Sequence, residues 1–332
     1  MSAVRSETKA NSEPSLASDS SADSNSPPRP IRFKHRLEAF FSLGTMFLLA
    51  HLPVWGLRLA ASALAMLAFD ALRIRRAVTL QNIRQAFPGA PPGERIRIGR
   101  AAYRHAVYAT AEFARLQRRN ARPFSSLIVS IEPPGAVEWM AGHLPLVMAI
   151  GHLGNWELLA HYLSEQGLAV AAIYKPMHNP IMDDRFLRIR RLSGAEYIST
   201  RQSDRQVWGL LGQAIRRKSI LGVMIDQDAG KHGAFVPFFG REASTFTGAA
   251  TMALRHGLPV IFCACVRESP GRLRLIADGP IESPAGGRTP ENVHELTRRI
   301  NERLENAIRR WPEQYFWFHR RWKSQPRKKT PS

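Results

Sequence analysis

The sequence predicts an α/β fold: a mainly parallel central sheet flanked by helices, preceded by an N-terminal helical segment that associates with a membrane. Three observations predict it. From residue 145 onward, short apolar runs of strand length alternate with segments of helical periodicity, the pattern of a parallel sheet with crossover helices. Runs such as Leu144-Pro-Leu-Val-Met-Ala-Ile150 are nearly uncharged, as strands buried on both faces are. Earlier, Ala39 to Leu57 carries no formal charge until Arg58 ends it.

Residues 1–30 contain Ser, Pro and Asp with almost no large apolar side chains, so a disordered tail is expected. Residues 31–76 are read as a membrane-anchoring helical segment. Ala39 to Leu57 is just long enough to span a bilayer, but His51 and Pro53 interrupt it, so a kinked or partly inserted helix pair is the alternative. The long polar stretch ahead of it argues against a cleaved signal peptide. Arg32, Lys34 and Arg36 precede the run and Arg73, Arg75 and Arg76 follow, so the positive-inside rule sets no orientation.

Residues 77–323 form the expected α/β domain. Residues 78–116 are predicted helical, broken by Phe87-Pro-Gly-Ala-Pro-Pro-Gly93. Strands are predicted over 145–150, 169–174, 220–225, 259–266 and 272–277. Helices are predicted over 156–166, 181–192, 204–217, 248–256 and 291–310, with a Gly- and Phe-rich loop before Thr247. Residues 324–332 complete the chain as a basic, flexible tail.

Chemistry concentrates in Gly151-His-Leu-Gly-Asn-Trp-Glu157. The segment joins a predicted strand to a predicted helix, at the strand end where open α/β sheets place ligands. Asn155 is the expected N-cap. A neutral His152 there takes a proton from a hydroxyl, and a nearby carboxylate orients it. On an ideal helix, His152 and Glu157 would lie about 140° apart, so a turn must bring them together; Gly151 and Gly154 supply its freedom. The bland alternative is a hydrogen-bonded structural histidine. No paired-His spacing and no cysteine cluster occurs, so no metal site is expected, and no cofactor.

Three other segments end strands or line loops on the same predicted sheet edge: Tyr174-Lys-Pro-Met-His-Asn-Pro180, Asp226-Gln-Asp228, and Phe235-Val-Pro-Phe-Phe-Gly240 leading to Thr245-Phe-Thr-Gly248. Singly, Asp226 is a turn former, Lys175 a solvated charge and the phenylalanines ordinary core. Together they mark one pocket, with Phe235, Phe238 and Phe239 as candidate lining of an apolar slot.

The net charge of +20 and the two cysteines narrow the class. Such a charge implies an anionic partner: nucleic acid, an acidic membrane, a phosphorylated substrate or an acidic protein. A nucleic-acid binder would explain the charge but neither Ala39–Leu57 nor the His152 turn, so no nucleic-acid partner is expected. Cys263 and Cys265 read as small buried residues in a reducing compartment. The aromatic and basic stretch from Trp311 to Lys329 has the composition of a bilayer interface.

These residues carry a resemblance. His152-Leu-Gly-Asn-Trp-Glu157, Tyr174-Lys-Pro176 with Asn179-Pro180, Asp226-Gln227, Val236-Pro-Phe-Phe-Gly240, Thr247-Gly248 and Gln314-Tyr-Phe-Trp-Phe-His-Arg-Arg-Trp-Lys323 resemble the late acyltransferases of lipid A biosynthesis. These lauroyl and myristoyl transferases belong to the lysophospholipid acyltransferase-like group. The match is collinear from about Arg36 to Lys323.

The resemblance implies an inner-membrane enzyme working at the cytoplasmic face. It would move a fatty acyl chain from acyl carrier protein to a hydroxyl of a phosphorylated glycolipid acceptor, among membrane lipid. Another lipid acceptor, an aminolipid or phospholipid, is the alternative. His152 would be general base and Glu157 its orienting carboxylate, with direct attack on the thioester; the sequence has no G-x-S-x-G segment, in agreement. Asp226 would either support the reacting groups from behind or position the acceptor. Lys175 stands where the family commonly has Arg, which keeps charge but loses bidentate phosphate geometry. Among Arg185, Arg188, Arg190 and Arg191, the candidate phosphate contacts are Arg188 and Arg190. Backbone amides around Gly154-Asn155 are candidate oxyanion donors.

Overall fold

Nine strands occur among the residues described by the computed structural model, 30–118 and 124–326. They are β1 (Ile128–Glu132), β2 (Leu146–Gly154), β3 (Val170–Tyr174), β4 (Glu196–Ser199), β5 (Ile220–Met224), β6 (Ala234–Phe238), β7 (Arg241–Thr245), β8 (Val260–Ser269) and β9 (Arg272–Ile281). The tail expected over 1–30 lies outside the described residues except for Pro30; of the tail expected over 324–332, residues 324–326 are described, and Ser324 donates to Asp228 from its amide and hydroxyl.

Seven strands make one sheet in the order β1-β9-β8-β2-β5-β3-β4, and β6 and β7 form a separate hairpin. All neighbours in the large sheet are parallel except β8 and β9. The mainly parallel α/β expectation therefore holds, with β9 and β1 reversed at one side. β2 is nearly buried throughout, and its alternate residues enter different cores. Val147 and Ala149 join one apolar cluster; Leu146, Met148 and Ile150 join the other, with Cys263 and Cys265. Helices cover both faces, as buried parallel strands require.

The covering helices are α1 (Phe33–His51), α2 (Val54–Met66), α3 (Arg76–Ala86), α4 (Pro92–Arg115), α5 (Ala136–Gly142), α6 (Glu157–Glu165), α7 (Pro180–Arg191), α8 (Asp204–Arg216), α9 (Gly248–His256) and α10 (Pro290–Arg310). Their ends have local causes. Asn179 caps α7 by accepting from the Ile181 and Met182 amides, with Pro180 at the first position. Ser203 and Gln206 form a capping box on α8. α10 buries Leu296, Ile300, Leu304 and Ile308, a stripe of period four.

Periodicity does not foresee β1, β4 or the β6–β7 hairpin. β4 is a four-residue edge strand containing a glutamate. The hairpin turns at Phe239-Gly240, both at positive φ, where a bulky residue hides the turn signal.

The N-terminal run is not one helix. Pro53 caps α2 and divides Ala39–Leu57 between α1 and α2. Among the described residues, the helical segment long and apolar enough to cross a membrane is Val54–Ala71, ending in a π-helical turn at Leu67–Ala71. At the other end, the aromatic and basic run departs from expectation. Tyr315, Trp317, Arg321 and Trp322 are buried, so these residues are core and do not face a bilayer. Arg321 donates to the Ser244 carbonyl and the Thr245 hydroxyl, both at 2.6 Å, strapping the run to β7.

Candidate active site

Adjacent parallel strands β2 and β5 end side by side, and each delivers one member of a hydrogen-bonded pair, a partly exposed imidazole and a buried carboxylate. Asp226, two residues beyond β5, accepts from the His152 backbone amide at 2.8 Å and lies 2.7 Å from His152 Nδ1. The bond places the imidazole proton on Nδ1 and leaves Nε2 as the basic nitrogen. Trp156 meets the ring edge-on at 4.6 Å and Phe316 lies 5.6 Å away, fixing its plane. Burial pushes the Asp226 carboxyl up, but His152, charge and hydrogen bonds together, pulls it net below the usual range. Tyr315, buried beside that carboxylate, has its phenol pushed well up by burial and by Asp226.

The expected Glu157–imidazole bond is thus replaced. Glu157 opens α6 and takes a bidentate pair from Arg190, Nε at 2.8 Å and Nη2 at 2.6 Å. The guanidinium's planar fork matches a carboxylate better than an imidazole nitrogen does, while Asp226 occupies Nδ1. Despite burial, Arg190 holds the Glu157 carboxyl below its ordinary range. Glu157, in turn, holds the Arg190 guanidinium charged against its burial.

Two glycines shape the turn, only one through its dihedral. Gly154 has φ +67, and a Cβ there would collide with the Cys265 carbonyl. Gly151 is small because Leu304 of α10 packs over it. Asn155 does not cap α6 with its side chain. Its amide donates to the Cys265 carbonyl at 2.6 Å, which removes it as an oxyanion donor. Its Nδ2 donates to Glu112 of α4 at 2.7 Å. Glu112 is paired with Arg267 of β8, whose side chain is almost fully buried and also meets His105. Gln314 exchanges two 2.7 Å bonds with the Arg267 backbone, tying the closing motif to this network.

A cavity of about 450 Å³ opens beside the pair. Its wall is largely apolar (Ala102, Phe113, Trp156, Phe186, Phe316), with His152, Glu157, Arg190 and Gln227 among its polar groups. Among the sequence candidates, His152, Glu157 and Arg190 line it, and Asp226 stands behind His152. Lys175 is exposed after β3 and does not line it. Arg188 is exposed on α7, paired with Asp184 at 2.9 Å, and points away because residues two apart on a helix face differently. The slot expected from Phe235, Phe238 and Phe239 is not there: Phe238 and Phe239 are core, packed with Trp317 and Trp322. Sequence reasoning missed Glu112, His105 and Arg267. The available signals were an arginine directly after the apolar run 260–266 and a glutamate in the apolar half of α4.

An Asp–His pair beside an apolar cavity is equipment for moving a proton off a hydroxyl in a greasy environment, the class of an acyltransferase on an α/β sheet. The model of the bacterial lipid A biosynthesis acyltransferase family matches residues 27–324, and the chain belongs to that family. A lipid A biosynthesis palmitoleoyltransferase of Escherichia coli (strain K12) is 26% identical over 295 residues, 86% of this chain and 91% of that protein. A lipid A biosynthesis lauroyltransferase of the same organism is 30% identical over 49% of this chain and 51% of that protein. A phosphatidylinositol mannoside acyltransferase of Mycobacterium tuberculosis is 22% identical over 62% of this chain, and the match spans 62% of that relative's length.

Proposed function

We propose that this protein is an O-acyltransferase that moves a fatty acyl chain from an acyl carrier protein thioester to a hydroxyl of a phosphorylated lipid A precursor, at the cytoplasmic face of the inner membrane. The observation that carries it is the His152–Asp226 bond at 2.7 Å beside an apolar cavity, in a chain of this family. His152 Nε2 takes the proton from the acceptor hydroxyl as the oxygen attacks the thioester carbonyl. Asp226 holds the tautomer and stabilises the imidazolium. The carbonyl oxygen becomes an oxyanion, the thiolate of the carrier leaves, and the imidazolium returns its proton to that sulfur. Of the amides opening α6, those of Leu158 and Leu159 already donate to the Asn155 and Trp156 carbonyls, so the amides of Trp156 and Glu157 are the proposed oxyanion donors.

Glu157 acts through Arg190. It keeps a charged guanidinium in the cavity wall, where an acceptor phosphate or the thioester arm is met. Lys175, exposed at the carboxyl end of β3, is assigned to an acceptor phosphate. Arg188 is not, because it lies on the exposed side of α7 and does not line the cavity that Arg190 lines. The +20 charge suits both an acidic carrier protein and a phosphorylated acceptor.

The mycobacterial relative favours one other reading, the same transfer onto a different membrane glycolipid. Two measurements separate them: acylation of a lipid A precursor by purified full-length protein with acyl carrier protein thioester, and lipid mass spectrometry of a deletion strain. Loss of one acyl chain from lipid A supports the first reading. An unchanged lipid A with another lipid lacking an acyl chain rejects it.

A further inference from the structure

α2 and α4 pack antiparallel along matching stripes of period four. Leu57, Ala61, Ala65 and Phe69 are buried on one side. Facing them, Leu57 meets Ala111 and Val107 in one cluster, and Phe69 meets Tyr103 at 5.1 Å in the next. A Cβ on Gly99 would collide with the Phe69 ring, so the helices approach closely there. Asp70 and Arg100 close the far end as a bidentate pair at 2.9–3.1 Å. The other face of α4 carries Ala102, His105, Ala106, Ala109 and Phe113 into the cavity beside His152.

This packing constrains how the apolar segment can meet a membrane. A bilayer crossed by Val54–Ala71 would also have to contain α4 from Gly99 to Ala111, with exposed Arg100 and Arg104, and the cavity wall with it. Ionisable groups at that depth are expensive. Meanwhile α1 and α2 turn large apolar side chains outward: Phe40 is 74% exposed and Trp55 69%, with Phe33, Phe41, Phe47, Leu48, Leu59 and Met66 also exposed. Exposed Arg32, Lys34 and Arg36 flank this surface at one end, and Arg73 and Arg75 at the other. An apolar face with a cationic rim complements an anionic bilayer surface.

We propose that α1 and α2 lie in the plane of one leaflet as an interfacial anchor, and that Val54–Ala71 does not span. The surface leads into the site. A groove of about 420 Å³ runs from Phe41, Thr45 and Met46 of α1 to Thr110 and Phe186, which also line the His152 cavity. Lying flat, the anchor presents that groove to the acyl layer, so an acyl chain of the membrane-borne acceptor enters sideways from the leaflet. The inference rests on the membrane location in the proposed function and goes beyond it.

The test uses the full chain in sealed membrane vesicles of both orientations. His51→Cys and Ala77→Cys, at exposed positions on either side of the segment, are probed with an impermeant maleimide; the native Cys263 and Cys265 are fully buried. Both positions should label in the same vesicle orientation, with labelling lost in the opposite one. Labelling in opposite orientations, or of neither until detergent is added, overturns the in-plane anchor and leaves the acyl-transfer reading standing. Protein that never sediments with membranes overturns the anchor and the membrane location together. As a second measurement, Phe40→Asp with Trp55→Asp should release the protein from anionic vesicles with its thermal melt unchanged. Full retention on the vesicles contradicts the proposal.

Discussion

Asp226 holds His152 at two points, the backbone amide through Oδ2 and Nδ1 through Oδ1, so one buried carboxylate fixes both the strand end and the ring. Asp226→Asn should keep much of the geometry but favour the wrong tautomer. We expect kcat to fall on the order of 10²–10⁴-fold, the range of general acid–base contributions, with a smaller change in KM. Steady-state acyl transfer at saturating donor measures it.

Glu157 and Arg190 form a mostly buried bidentate pair, so removing one leaves the other uncompensated. Glu157→Gln should destabilise the fold by about 3 kcal/mol, and Glu157→Gln with Arg190→Gln by less than the sum of the single changes. Denaturant melts of the four proteins give the cycle.

The same pair carries a pH signature. The Glu157 carboxyl is held below its ordinary value in the folded protein, so its stabilisation is present above the usual carboxylate range. It is lost as pH falls through the lowered folded value. The stability gap between wild type and Glu157→Gln should therefore be full at neutral pH and shrink on acidification below about pH 4. Melting temperatures across that range check the sign.

Arg267→Met leaves Glu112 buried without its cation and removes the support under Asn155. A loss of about 3–5 kcal/mol is expected, against little for Arg188→Met, whose exposed pair contributes about 0–1 kcal/mol. Thermal denaturation of both variants makes the comparison.

Gly154→Ala places a Cβ against the Cys265 carbonyl at a left-handed φ. We expect loss of soluble folded protein or of all transfer activity, whereas Gly142→Ala, with nothing near its Cβ, should be tolerated. Expression yield and far-UV circular dichroism decide it.

The sequence made much of this legible, unevenly. Long apolar runs such as 146–150 and the stripe of α10 announce themselves because burial repeats with the period of the element. His152 was visible because a strand end, two glycines and a following helix converge on it. Its partner was misassigned because Glu157 is near in sequence, while Asp226 is near only once β5 lies beside β2. Composition also misled at the chain's end. Tyr315, Trp317, Arg321 and Trp322 read as interfacial, yet all four are buried in a strap, where the Trp317 indole donates to the Pro312 carbonyl and Arg321 reaches Ser244 and Thr245, 77 and 76 residues back. Short edge elements such as β4 carry too few residues for a pattern to register.

The most direct test of the central claim is transfer by purified His152→Ala, full chain, with acyl carrier protein thioester and lipid A precursor. Folding is verified by its thermal melt. If His152 is the general base, turnover drops on the order of 10²–10⁴-fold with the melt preserved. Wild-type turnover in that folded variant would contradict the account.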